Sequence, residues 1–523
     1  MLKLSFEAAR FFRPRKYAFS PGFHHSPLCY FVTFAAFASI MQRKFVTNLA
    51  LVLALNLLIK PFWILGIDRL VQNAVGTEHY GIYYSLLSFS FLLNIVLDCG
   101  ITNFNNKNIS QNNHLLSKHF ANIVILRIML ALVYCIVTFA IGFAIGYTSD
   151  MMKMVVALAF NQVLISFILY LRSNLAGLHL FRTDSLISVL DRTIMIAICG
   201  FMLINHVFSR NNPESIKWFV YAQTFAYLLT ALITFVVVID KAKVRKLSFR
   251  MPFFFMILKK SYPYAILVLL MTFYNRIDTV MLERMLPDGA AQSGIYASAY
   301  RILDATNMIA FLFSGLLLPI FARMIKLRES VEDMVRLSFS LLVVPAIIIA
   351  ACSFFFRVDI MTMLYSGSEH IESSSAVFGI LMCCFAPIAS TYIFGTLLTA
   401  NGNLKELNIM ASIGMAINIG LNLILIPRMQ VVGSAISSLT TQMLTGLAQI
   451  IMVQHIFRFH KNYRLLGAIA LFMVIVLGLN MWAVRLPLYW GLRFAIAAGG
   501  CFAVAFAFRL ISIKNLYRIL KYG

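Results

Sequence analysis

The sequence predicts an all-α polytopic membrane protein, with about fourteen transmembrane helices arranged as two pseudo-symmetric six-helix lobes and two carboxyl-terminal helices. Three observations carry that expectation. Hydrophobic residues make up 61% of the 523-residue chain and charged residues only 12%, where a soluble domain carries roughly 25%. Apolar runs close to the ~20 residues that cross the hydrocarbon as helix recur along its length. A short pattern, Ile67-Asp68 followed by Gly81-Ile82-Tyr83, returns about 210 residues later as Ile277-Asp278 followed by Gly294-Ile295-Tyr296. In each copy one apolar run ends at the Asp and another begins at the Tyr.

Residues 1–44 stand apart from the rest. They are basic, are interrupted by Pro14, Pro21 and Pro27, and contain an apolar run, Leu28 to Met41, too short for an ordinary span. Met41 makes a more natural beginning, so residues 1–40 are expected to be dispensable. The first strong segment, 45–67, carries Asn56 and Lys60 four apart, on one helical face. The second, 81–101, repeats that spacing with Ser90, Asn94 and Asp98. The third, 120–147, holds Arg127 near one end, where a long side chain can reach the interface. Segments 152–171, 185–206 and 216–239 complete an amino-terminal lobe over 45–240.

A basic linker at 241–260, with Lys241, Lys243, Arg245, Lys246, Arg250, Lys259 and Lys260, separates the lobes. It reads as an anchor to an anionic membrane surface. The second lobe, 261–456, opens with 261–285, which carries Thr272, Asn275, Arg276 and Asp278, and 293–320, which carries Ser298, Arg301, Asp304 and Asn307. Segments 337–356 and 374–399 follow. Asn408, Asn418 and Asn422 mark 407–427, and 432–454 ends the lobe. Two more segments, 463–484 and 488–508, lie within 457–523, ahead of a basic tail.

The net charge of +24 does not indicate a nucleic-acid partner. With the amino terminus on the cytoplasmic side, most Lys and Arg fall in the inside segments, which is the bias that orients membrane helices. Both termini are then cytoplasmic. Trp63, Trp218, Trp482 and Trp490 all fall near the expected outer interface, where amphipathic rings gather. No Cys or His spacing fits a metal, and no nucleotide or hydrolase motif occurs, so neither cofactor nor enzyme activity is indicated. The cysteines read as small buried hydrophobes.

Polar groups at membrane depth are costly and mark partners or wet cavities. Two readings stand. In one, Arg301 and Asp304 neutralise each other and the Asn and Ser residues hold helices together. In the other, Lys60, Arg276 and Arg301 face a cavity and bind an anion, since Arg grips phosphate oxygens through paired hydrogen bonds. Arg276 and Asp278 point to different faces of their helix.

The order of several short motifs resembles a family. Asn275-Arg-Ile-Asp278, Gly294-Ile-Tyr-Ala-Ser-Ala-Tyr300, Leu318-Pro319, and Pro427 followed by Val432-Gly-Ser-Ala435 are similar to the polysaccharide flippases of the multidrug/oligosaccharidyl-lipid/polysaccharide exporter superfamily, over roughly residues 45–460. The resemblance implies that the chain moves a polyprenyl-diphosphate-linked oligosaccharide, of the O-antigen or lipopolysaccharide type, to the outer leaflet of a bacterial inner membrane. Alternating access between duplicated lobes is how such proteins work. Lys60, Arg276, Arg301 and Asn275 would bind the substrate, and Asp98, Asp278 or Asp304 would carry a coupling ion. Partners would be membrane lipids and the polysaccharide polymerase or glycosyltransferases that share the carrier. A multidrug exporter would need an acidic cavity, and a polymerase or ligase a large external loop; the sequence offers neither.

Overall fold

The computed structural model describes residues 54–102, 105, 109, 115–178, 180–209, 212, 214–242, 251–365, 370–460 and 463–510. The expected extension 1–44, the core of the basic linker and the basic tail lie outside them. Among the described residues the chain is helical, with no strand. Helix α1 covers 54–75, and α2 runs from Thr77 to Leu92 and, after a turn, from Ile95 to Asp98. Then come α3 (Leu115–Ile145), α4 (Ser149–Gly177), α5 (Phe181–Ile204) and α6 (Ser215–Ala242). The second half holds α7 (Met251–Met285), α8 (Gly289–Lys326), α9 (Glu332–Phe355) and α10 (Ile371–Asn401, with a turn at Cys384). One unbroken helical stretch, Leu404–Phe457, bends at Gln430, which adopts φ 51° and ψ −133°. It therefore comprises two helices, α11 (404–429) and α12 (431–457). α13 (Tyr463–Val484) and α14 (Trp490–Ala507) close the chain. Apart from a short helix between α9 and α10, Arg357–Leu364, these fourteen helices match the fourteen apolar segments in order.

Several local features follow from the sequence. Pro61 has no N–H to give the carbonyl one turn earlier. The helix widens just beyond it into a π-helical stretch, Trp63–Asp68, whose Trp63, Ile64, Ile67 and Asp68 all turn inward. The bend at Gln430 brings the start of α12 back onto the end of α11, and a Cβ on Gly433 would lie 2.4 Å from the Leu425 carbonyl oxygen. That contact explains why Gly433 opens α12 after Pro427.

The outward faces are apolar, as a bilayer requires, and the largely apolar interior holds buried polar residues gathered on particular helix faces. Phe143, Ile204 and Ile136 are exposed large apolar residues of outward faces. Ser434, Ser437, Ser438, Thr441, Gln442, Thr445 and Gln449 line one face of α12 and are buried. Taking α1–α6 as the first lobe and α7–α12 as the second, as the sequence divides them, α13 and α14 join α9 of the second through Val344, Ile348, Phe472, Val476 and Cys501.

The lobes meet where α2 crosses α8, at the two echoed glycines. A Cβ on Gly81 would lie 1.8 Å from the Ala290 carbonyl oxygen, and one on Gly294 would lie 2.0 Å from that of Thr77. Each glycine therefore faces the residue four positions before the other, the relation a twofold axis imposes. Gln72 Nε2 donates to the Gly294 carbonyl (3.1 Å), and the Tyr365 hydroxyl donates to that of Ser298 (3.2 Å). At this end of the molecule the remaining cavity is only about 10 Å³.

Candidate functional site

Beyond the glycine crossing, away from the α1–α2 loop, the lobes part around a row of adjoining cavities that share lining residues. Two charged pairs sit at the seam. Arg301 of α8 places Nε 2.9 Å from Asp68 Oδ2 on α1 and donates to the Tyr80 hydroxyl (3.2 Å). Its guanidinium lies 4.9 Å from the centre of the Tyr84 ring. Asp68 also accepts from Tyr80 at 2.9 Å. Arg276 of α7 donates to Tyr84 (3.0 Å) and to Asp304 (3.2 Å), and its guanidinium lies over the rings of Tyr300 and Phe91. Both arginines thus reach from the second lobe to tyrosines on α2 of the first.

The cavity begins in the first lobe as a space of about 240 Å³ reaching Lys60, Arg172, Asp191, Arg192 and Arg301. It continues as a space of about 310 Å³ that adds Arg276, Asp304, Gln162 and Gln223. Five cations and two carboxylates line the two spaces together. Among the described residues no carboxylate comes within 4 Å of the Lys60 ammonium. Arg172 is held by Asp184 at 2.8 Å. Arg192 is wedged between aromatic rings, 5.8 Å from the centre of Trp63 and 5.7 Å from that of Tyr227, with Asp191 3.6 Å from Nε. Cations over ring faces are stabilised without being neutralised, so Arg192 keeps its charge for the cavity.

Asp278 turns the other way, into the second lobe. It accepts from Tyr296 (2.8 Å), Asn422 (2.6 Å), Asn418 (3.3 Å) and Ser438. It is 1% exposed, and no cation of the described chain touches it. Each echoed Asp thus accepts from a tyrosine of the following helix, Asp68 from Tyr80 and Asp278 from the echoed Tyr296, but only Asp68 has an arginine. Asn422 Oδ1 beside Asp278 is buried without a donor.

The structure departs from the sequence expectation at several positions. Arg301 and Asp304 do not pair; each takes a partner on another helix. Arg127 does not snorkel. It is 5% exposed and binds Asp98, Thr102, Ser166 and the Leu97 carbonyl within the first lobe. Asp98 lies there, away from the seam, with its charge already matched. Ser90 and Asn94 bond to Gln162. Trp63 is no interface anchor; it is 4% exposed and stacks on Phe219. Asn56 donates to Ser188 (3.1 Å). Asn275 accepts from Gln442 (2.9 Å) in a further, second-lobe compartment. Arg172, Asp191, Arg192 and the α12 polar stripe joined the site without having been singled out. Their signals were an Asp-Arg pair within an apolar helix, and hydroxyl and amide residues at spacings of three, four and seven.

The long apolar helices define a multi-span membrane protein, and its fold, with a cation-lined cavity, is similar to that of solved transporters of the multidrug/oligosaccharidyl-lipid/polysaccharide superfamily. The solved lipid II flippase MurJ, in an inward closed conformation, is similar over 87% of this chain and 97% of its own, with TM-score 0.66 and 15% identity. An inward-facing multidrug resistance MATE family transporter is similar over 76% and 94%, with TM-score 0.59 and 12% identity. A superfamily transporter from Pyrococcus furiosus Vc1, described as having a binding pocket of reversed polarity, is similar over 79% and 94%, at 0.54 and 13%. No curated protein sequence matches. The profile of the polysaccharide biosynthesis protein family matches residues 45–325, and the chain belongs to that family.

Proposed function

We propose that this protein flips a polyprenyl-diphosphate-linked oligosaccharide across a bacterial inner membrane by alternating access, drawing on an ion gradient. The observation that carries the reading is the cationic lining of a cavity sealed at one end by the glycine crossing. A diphosphate needs fixed positive charge at membrane depth, and Arg offers it in paired hydrogen bonds. Lys60 and Arg192 are the cations least matched by carboxylates. Arg276 and Arg301 would exchange part of their seam contacts for the substrate, which couples binding to lobe separation. The polyprenyl tail stays in lipid while the head enters between the lobes. A cationic drug would meet the wrong sign of charge here.

Asp278 is the coupling group in this reading. A carboxylate sealed from water among neutral donors is costly to keep ionised alone. It takes a proton or a small cation, and the buried Asn422 oxygen is a further ligand for the latter. Asp98, matched by Arg127, and Asp304, matched by Arg276, serve other ends.

The test is reconstitution in vesicles with a fluorescent polyprenyl-diphosphate-linked sugar, with leaflet position read by a membrane-impermeant quencher. Transfer should require the protein and an imposed ion gradient. Arg192→Gln should slow it at least tenfold, and Asp278→Asn should remove the gradient dependence. Transfer at the protein-free rate would overturn the flippase reading. In cells, depletion should strand the lipid-linked repeat on the inner leaflet.

A further inference from the structure

The cavity does not end at Arg276 and Asp304. Past that pair it opens into a compartment of about 570 Å³ walled by α7, α8, α10, α11 and α12 of the second lobe. Its chemistry differs from that of the first-lobe spaces. Apart from the Arg276–Asp304 pair at its mouth, no charged residue among the described ones lines it. The polar groups are amides and hydroxyls, among them Asn275, Thr391, Gln442 and Gln449, and the aromatic walls are Phe311 and Tyr392, edge to face at 6.3 Å.

Several of these groups have capacity to spare. Gln449 Oε1 and Thr391 Oγ1 are buried without a hydrogen-bond partner, in side chains 5% and 8% exposed. Asn307 Oδ1, on the same wall, is likewise unpartnered. Such orphans are expensive unless a ligand or water meets them. Neutral hydroxyls are the natural complement to amide and hydroxyl orphans, and the ring faces suit the C–H faces of a pyranose. An acidic sugar that passed the paired Arg276 and Asp304 at the entrance would find, among the described residues of the wall, no cation to balance its charge.

We infer that this second-lobe compartment is a glycan pocket that selects an uncharged sugar, while the first-lobe cations hold the diphosphate. The inference rests on the flippase reading above and gives the substrate a direction in the cavity: phosphates toward Lys60 and Arg192, the sugar past Arg276 toward Gln449. A pocket built to bond hydroxyls discriminates strongly against a ligand that lacks them.

The experiment measures binding of four lipids to the full-length protein in nanodiscs: polyprenyl diphosphate alone, and the same lipid carrying one glucose, one N-acetylglucosamine or one glucuronate. At least one neutral sugar should tighten binding about tenfold over the bare diphosphate, and glucuronate should not. Gln449→Leu combined with Thr391→Val should remove the sugar's advantage and leave affinity for the bare diphosphate unchanged, which also shows that the variant is folded. The inference is overturned if neither neutral sugar tightens binding, if glucuronate does so equally, or if the advantage survives the double variant. Failure of the bare diphosphate itself to bind would instead overturn the flippase reading.

Discussion

Replacing Gly81 by Ala tests whether the seam between the lobes depends on two small residues. Ala in a helix interior is intrinsically better than Gly by roughly 1 kcal/mol, so a neutral site would gain stability. At Gly81 the new Cβ would sit 1.8 Å from the Ala290 carbonyl oxygen and 2.7 Å from the Gly294 nitrogen, both backbone atoms. No side chain can rotate away, so α2 and α8 must separate by about 1 Å or more, and overpacking of this kind costs about 1–3 kcal/mol or above. The Gln72 to Gly294 hydrogen bond at 3.1 Å would lengthen with it. A state favoured by about 2 kcal/mol would lose most of its excess. Because Gly294 faces Thr77 across the same crossing, Gly294→Ala should act alike, and the two together should cost much less than twice one, since the helices have already parted. The assay is pulsed electron resonance between spin labels at exposed Glu78 and Asp288 in a background freed of native cysteines. Each single variant should move population to longer distances. Gly315→Ala and Gly420→Ala, whose Cβ would meet nothing within 4 Å, should not. Unchanged distances in the Gly81 variant, or additive effects in the double variant, would refute the crossing as the closing element.

Three further outcomes are expected. Arg301→Gln strips the 1%-exposed Asp68 of its cation, so thermal unfolding should show a loss of about 3–5 kcal/mol, and adding Asp68→Asn should recover most of it; an unchanged melting point would mean that the pair is not closed in the working protein. Arg127→Met should destabilise the first lobe by about 3 kcal/mol, through Asp98 and Ser166, yet leave binding of polyprenyl diphosphate intact, and lost binding in a fully folded variant would place Arg127 in the site after all. Reporter tags in segments 240–260 and 357–372 should report opposite sides of the membrane, the first cytoplasmic; finding both on one side would break the orientation.

Much of the fold was legible because the bilayer leaves the chain few options. Apolar runs of spanning length, punctuated by turn residues, gave fourteen helices in order, and the echo around Asp68 and Asp278 contains the two glycines that meet where α2 crosses α8. What spacing along one helix could not reveal was which residues meet across helices. Arg301 and Asp304, three apart, look like a pair until α1 brings Asp68 within 2.9 Å. Arg127 looks like a residue reaching for the interface until α2 and α4 enclose it. Trp63 follows Pro61 and lies near a segment end, as an anchor would, but the π-helical stretch turns it inward. Arg192 was masked by its neighbour Asp191, since an adjacent opposite charge reads as neutral; the aromatic rings that hold its guanidinium apart come from α1 and α6.

The unequal fates of the two echoed aspartates divide labour between the lobes. Asp68 finds its counter-charge on the opposite lobe, so a motion that parted the seam would strand it, and its protection from water would record whether the seam is shut. Asp278, on α7, finds its donors on α8, α11 and α12 of its own lobe, so in the proposed cycle its cage would pass through the same motion intact. In the proposed cycle one carboxylate would then serve as a latch and the other as a passenger seat. The same chemical group would hold the coupling ion in one lobe and sense the protein's posture in the other.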